Sequence, residues 1–177
     1  IESTSSDFLS TGGFKTTRTG FGVGTGFEQY SDLYVNLDVS TYYEKLETSS
    51  AASAHKKKQE GDYLENILSY GLTLNKLDQN FQPTDGYKIG FKQELPIYSD
   101  DLSIGNTLNL SKYHSLSDNL IISGKFFFKS VNSIDDDVRV YRRIYIPSKK
   151  LRVFESGKIG PKDGVENVGG NYVSAIN

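Results

Sequence analysis

Apolar and polar residues alternate one by one through much of the chain, and a period of two predicts strands. Between residues 20 and 27 every even position is glycine: Gly20, Gly22, Gly24 and Gly26. The odd positions carry Phe21, Val23, Thr25 and Phe27. A helix would scatter these glycines around its axis, whereas a strand gathers them on one face. Glycine weakens a strand unless something needs the space beside it. Two uses of that space stand open: tight curvature of a barrel wall, or a crowded interior where a plug or loop packs. After a polar turn at 28–32, Leu33, Val35, Leu37 and Val39 alternate with Tyr34, Asn36, Asp38 and Ser40. Asp38 in mid-strand would meet bulk solvent in a sandwich and a wet lumen in a barrel.

The pattern repeats. A third strand sets Leu68, Tyr70, Leu72 and Leu74 against Ser69, Gly71, Thr73 and Asn75. A fourth sets Tyr87, Ile89 and Phe91 against Lys88, Gly90 and Lys92. A fifth carries Ile104, Leu108 and Leu110 on one side. A sixth sets Leu120, Ile122, Phe126 and Phe128 against a mixed face of Ile121, Ser123, Lys125, Phe127 and Lys129. Turns are predicted at 76–86, ending in Pro83-Thr84-Asp85-Gly86, at 96–101 and at 114–119. The Ser-, Thr- and Gly-rich residues 1–13 read as a loop. The turns at 28–32 and 114–119 are short, while the loops at 46–62 and 132–170 are long. Short turns at one end and long loops at the other are the habit of outer-membrane barrels. A lipocalin-like soluble barrel shares the meander but rarely needs so long a loop.

Composition changes the picture in a few places. Hydrophobic residues make up only 36% of the 177, beside 17 Gly, 12 Tyr and 10 Phe. No apolar run reaches the roughly 20 residues of a membrane-spanning helix. A barrel strand escapes that test, since only alternate residues must be apolar. The net charge of −2 makes no case for nucleic acid. Lys56, Lys57 and Lys58 lack interleaved aromatics and read as a solvated loop. Without cysteine, disulfide and thiolate chemistry are excluded. The first residue is Ile1, which favours a chain that starts within a longer protein. His55 and His114 have no nucleophile or carboxylate at a readable spacing, so no catalytic residue is expected. Asp135, Asp136 and Asp137 lack EF-hand spacing, and no phosphate-binding loop is present. The chain is therefore expected to be no enzyme, with no cofactor and no metal.

Residues 132–170 are too apolar for a solvated tail, with Tyr141, Ile144, Tyr145, Ile146, Leu151, Val153 and Phe154. Arg139, Arg142, Arg143, Lys149, Lys150 and Arg152 also make them basic. Such a segment can fold inward onto acidic groups. Arg152, between Leu151 and Val153, is either a docking cation or an exposed arginine on a surface hairpin.

Two motifs resemble a known family. Tyr70-Gly71-Leu72-Thr73-Leu74-Asn75-Lys76-Leu77-Asp78, followed by Phe81-Gln82-Pro83-Thr84-Asp85-Gly86, looks like the mid-barrel signature of the BamA-type outer-membrane assembly factors. Leu151-Arg152-Val153-Phe154, then Ile159-Gly160-Pro161-Lys162 and Val168-Gly169-Gly170-Asn171, is similar to that family's VRGF loop motif and its continuation. Val153 stands where the motif has glycine. The resemblance implies an all-β fold: a partial antiparallel up-and-down transmembrane β-barrel of six to seven strands with a long inward-folded loop. Residues 1–177 would form one partial barrel domain, with 132–170 as the loop. It implies that Leu151, Arg152, Val153 and Phe154 dock in the lumen. Ile159, Gly160, Pro161, Gly169, Gly170 and Asn171 would continue the loop, and Asp78, Pro83, Thr84 and Gly86 would form the mid-barrel turn. The implied function is outer-membrane protein assembly and insertion in the bacterial outer membrane. The implied partners are outer-membrane protein substrates, outer-membrane lipids and accessory lipoproteins bound through other parts. The rivals are a TamA-like factor or two-partner-secretion transporter and, from a different class, a passive porin or a soluble β-barrel binding protein.

Overall fold

The alternation runs further than its clearest stretches. The computed structural model describes residues 2–8, 13–50, 52–135, 137–150, 157–163 and 166–177. Seven strands follow in sequence: β1 (Glu2–Phe8), β2 (Phe14–Tyr30), β3 (Leu33–Thr48), β4 (Gly61–Leu77), β5 (Gly86–Pro96), β6 (Ser103–Ser117) and β7 (Leu120–Ser133). A short helix α1 (Ala54–Lys57) separates β3 from β4. After β7 come a 3-10 turn at Ser148–Lys150, a small hairpin of β8 (Lys162–Asp163) with β9 (Glu166–Asn167), and β10 (Tyr172–Ile176). The long strands form one eight-stranded antiparallel sheet ordered β1-β2-β3-β4-β5-β6-β7-β10, the up-and-down meander that the periodicity predicts. It is not closed within this chain: β1 and β10 are its edges.

Three readings from composition are corrected. Within residues 1–13, Glu2–Phe8 form a strand rather than a loop, paired with β2 from Glu2↔Gly20 to Phe8↔Phe14. A polar strand carries no apolar alternation to reveal it; the free edge of β2 supplies the reason it forms, by satisfying backbone N–H and C=O groups. His114 lies inside β6, so the turn to β7 is only Asp118 and Asn119. Lys56 is buried at 2% exposure rather than solvated, with its ammonium 5.8 Å from the centre of the Phe14 ring.

The two faces of the sheet differ sharply. On the bare face a single register row joins Phe27, Val35, Leu72, Phe91, Leu108 and Phe128 across β2 to β7. This face is not a core: in the row Phe27 is 45% exposed and Leu72 40%, and further along β2 Val23 is 72% exposed and Phe21 58%. One row along, the same face carries a polar chain. Tyr70 Oη donates to Gln93 Oε1 (2.8 Å), Gln93 Nε2 to Asn106 Oδ1 (2.6 Å), and Asn106 Nδ2 to Ser130 Oγ (3.3 Å). The opposite face is covered by the segment after β7. There Val138 and Ile144 pack on Phe127, Val131, Val173 and Ala175, while Val140 packs on Phe14 and Leu46.

The glycines of β2 lie on the covered face, and β3 itself explains them. A Cβ at Gly20 would strike Thr41 O and come within 2.6 Å of Tyr42 Cδ1. At Gly22 and Gly24 the nearest side chains are those of Asp38 and Ser40, and at Gly26 Asn36 Oδ1 would sit 2.5 Å away. The space is taken by larger residues of the paired strand. The obstruction at Gly20 includes backbone, whereas at Gly26 it is the end of one side chain. Gly20→Ala should therefore destabilise the full-length barrel by about 1–3 kcal/mol, and Gly26→Ala by well under half of that. Unfolding midpoints in detergent and urea check the ranking.

The open edges generate a second expectation. Unpaired edge groups are costly in lipid and aggregation-prone in water. The 177-residue chain expressed alone should give no monodisperse detergent-soluble monomer with a cooperative melt; size-exclusion chromatography and circular dichroism decide.

Candidate functional site

The chemistry of the covered face centres on three carboxylates that come from alternation-phase positions of the wall and one adjoining turn. Glu44 lies near the end of β3, Glu65 near the start of β4, and Asp101 just before β6. All are buried, with Glu65 at 0% exposure. Burying a carboxylate is costly unless donors replace its water. Glu65 meets that demand from two sides. Arg18 Nη2 donates to Oε2 at 3.3 Å, and Tyr141 Oη donates to Oε1 at 2.5 Å. Tyr141 Oη also lies 3.1 Å from Asp101 Oδ2, and Ser103 Oγ donates to Asp101 Oδ1 at 2.5 Å. Arg142 Nε stands 3.9 Å from Glu65 and 3.7 Å from Asp101, so it acts as a nearby charge rather than a hydrogen-bond donor.

The pieces are placed by one another. Bare backbone at Gly20 admits the ring of Tyr42, and the guanidinium of Arg18 lies 3.7 Å from that ring's centre. Arg18 is thereby aimed at Glu65. From the loop side, Arg139 Nη2 donates to Asp100 O (2.7 Å) and its guanidinium covers the Tyr63 ring at 3.6 Å. Val140 N donates to Gln59 Oε1 (2.9 Å), and Arg143 Nη2 donates to Asp137 Oδ2 (2.7 Å). Burial, followed by the negative charges of Glu65 and Asp101, pushes the Tyr141 phenol up, which keeps it a donor. Burial opposes the charge on Arg142, but Glu65 and Asp101 outweigh it and raise its affinity for the proton. A polar cavity of about 470 Å³ remains beside this cluster, lined by Arg18, Asp38, Glu44, Lys92, Glu94 and Arg142 among others. Among the described residues no group of His, Cys, Asp and Glu is arranged to hold a metal ion.

Leu151, Arg152, Val153 and Phe154 lie outside the described residues. The loop continuation is described. Gly169 is buried at φ +70, where a Cβ would stand 3.0 Å from Ile144 O. Gly170 is bridged to Ile144 by two backbone hydrogen bonds of 2.8 and 2.9 Å, which close the base of the loop. Pro161 O accepts from Val168 N (3.0 Å), and Asn171 O accepts from Val131 N (2.8 Å). Ile159 is half-buried, while Gly160 is exposed at φ +131. The turn between β4 and β5 is built by Asp78, whose carboxylate accepts from Thr84 N (3.1 Å) and Thr84 Oγ1 (2.5 Å). Pro83 is half-buried beside it, and Gly86 takes φ +99, where a Cβ would strike Lys76 O.

Sequence reasoning singled out neither Tyr141 nor the acidic trio. Their signal was the phase: Glu44 continues Asp38 and Ser40, and Glu65 continues Ser69 and Gly71. One exclusion is also corrected. His114 does have a carboxylate neighbour, with Nδ1 3.4 Å from Asp85 Oδ2, because Gly86 pairs with Tyr113 and brings the turn alongside β6. Both side chains are exposed.

Comparison with known proteins bears on these features. The Omp85 superfamily domain matches residues 3–175. A relative from Neorickettsia risticii (strain Illinois), described as outer membrane protein assembly factor BamA, is 27% identical over 163 residues. That alignment covers 84% of this chain and 21% of the relative, so the chain spans about a fifth of its length. Among solved structures, BamA from Haemophilus ducreyi lacking POTRA domains 1–3 superposes with a TM-score of 0.82 at 21% identity. The superposition covers 92% of this chain and 36% of that one.

The β4–β5 turn carries a pH expectation. The Thr84 hydroxyl, followed by backbone N–H groups, holds the Asp78 carboxyl below its ordinary value. A folded-state value below the unfolded one stabilises at pH above the unfolded value, and that contribution is lost as pH falls through the folded value. Hydrogen exchange across residues 78–86 of the full-length protein, corrected for intrinsic rates, should accelerate below roughly pH 4. Asp78→Asn should remove that acid dependence.

Proposed function

Because the chain belongs to the Omp85 superfamily, we propose that it forms part of the wall and the inward-folded loop of an outer-membrane barrel that assembles and inserts other outer-membrane proteins. The inverted faces carry this reading. Apolar rows stand bare on one side, while a buried charged cluster lies under a loop on the other. In water that arrangement would expose much of the sheet's apolar area; in a bilayer it matches lipid outside and a polar lumen inside. The strands β2, β3 and β4, of 17, 16 and 17 residues, exceed the roughly 9–11 that a tilted membrane strand needs.

In this reading residues 1–177 are one partial barrel domain, and Leu151 to Phe154 dock in the lumen with Arg152 as the charged member. The work is done without covalent chemistry: a barrel that disturbs the bilayer offers strand edges as templates for incoming strands. Its substrates are unfolded outer-membrane proteins, its surroundings outer-membrane lipids, and its accessory lipoproteins bind through parts beyond this chain. A porin fits less well, since Val138, Val140 and Ile144 fill the covered face with packed side chains. Both named BamA proteins favour this reading over a TamA-like factor or a secretion transporter.

The test is reconstitution of the full-length protein in liposomes. Addition of a urea-unfolded outer-membrane protein should give folded, protease-protected substrate faster than empty liposomes do. A large steady ion conductance with no gain in substrate folding would instead support the porin.

A further inference from the structure

Tyr141 and Arg142 belong neither to the β4–β5 turn nor, in sequence, to the motif at 151–154. We infer that they are positioning residues for assembly: they fix the stem of the long loop against β4 and thereby set where the rest of the loop can reach. This inference rests on the reading under Proposed function.

The stem, residues 138–144, is held by two kinds of contact. Val138, Val140 and Ile144 are buried among wall residues, and such packing sets depth with little directional preference. Direction comes from polar contacts: Arg139 and Val140 N reach Asp100 O and Gln59 at one side, and Tyr141 and Arg142 face the buried Glu65 of β4 and Asp101 before β6. Both carboxylates are almost wholly buried, so loss of the phenol proton donor leaves a buried acceptor short of a partner. On the wall, Arg18 supplies Glu65 and Ser103 supplies Asp101, leaving one oxygen of each facing the stem. The wall side thus satisfies one oxygen of each carboxylate, and the stem meets the other. The far end of the loop is tied by the Ile144–Gly170 bridge. Position 151 follows Arg142 by nine residues, and an extended chain covers at most about 3.5 Å per residue. The anchored stem therefore bounds the distance at which position 151 can lie from Arg142.

The experiment uses the full-length protein in liposomes, with a single reactive cysteine in place of Val140, which is 3% exposed. Maleimide labelling reads the stem, resistance of the folded barrel to unheated SDS reads the wall, and folding of a urea-unfolded outer-membrane protein reads activity. Tyr141→Phe and Arg142→Gln should each speed labelling roughly tenfold without loss of SDS resistance. The maximal assembly rate should fall, and Arg142→Lys, which keeps the charge, should recover part of it. Unchanged labelling in Tyr141→Phe, Arg142→Gln and their combination would overturn the proposal, because packing and the contacts of Arg139 and Val140 would then hold the stem. Faster labelling with an unchanged assembly rate would overturn it as well. If Arg142→Gln loses SDS resistance, Tyr141→Phe, which removes one oxygen, decides alone. If the unmutated protein assembles nothing, the functional reading fails while the labelling comparison still tests the anchor.

Discussion

A carboxylate with no exposed surface must be supplied with donors, and Glu65 organises its surroundings to that end. One oxygen looks along the wall to Arg18, the other toward the loop and Tyr141. The chain of dependence runs back into the backbone. Arg18 lies on the Tyr42 ring, and Tyr42 has room only because residue 20 lacks a side chain. A glycine in β2 is thus connected, through contacts of a few ångströms, to the placement of a loop that begins more than a hundred residues later.

The second constraint is the inversion of the faces. A water-soluble sheet buries its apolar face against another layer. Here the buried apolar residues are few and sit between the covered face and the loop stem, while the long apolar row stays bare. Packing and the polar contacts of the stem therefore attach the loop to the wall, and backbone pairing between strands holds the wall itself. The two are separable, so a disturbed stem need not imply a lost barrel.

Much of this was legible in the sequence because barrel strands repeat every two residues, and Gly20 to Phe27, Leu33 to Ser40 and Leu68 to Asn75 obey that period strictly. The strand β1 was not legible: Ser and Thr alternate with nothing apolar, and only the pairing with β2 makes it extended. The cluster was half legible. The phase of Glu44 and Glu65 could be extrapolated from Asp38 and Ser69, but their meeting with Asp101 depends on register across β3, β4 and the turn before β6. Arg142 was one of several basic residues in a long segment, and no local pattern distinguishes the arginine that reaches the wall from its neighbour Arg143, which turns to Asp137. Lys56 misled for a related reason, since a run of three lysines gives no hint that the first packs inward.

The polar chain from Tyr70 through Gln93 and Asn106 to Ser130 has a bearing on how the strands find their alignment. Leucine and phenylalanine rows look alike to hydrocarbon after a strand slides by two residues, so grease alone scarcely distinguishes correct from slipped neighbours. Amides and hydroxyls do distinguish them. In the native alignment they consume one another's hydrogen-bonding capacity; after a slip they would be stranded in a solvent that offers nothing in return. Four side chains on the face opposite the loop thus serve as a vernier for β4 to β7, written in the chemistry that an apolar surrounding penalises for being misread.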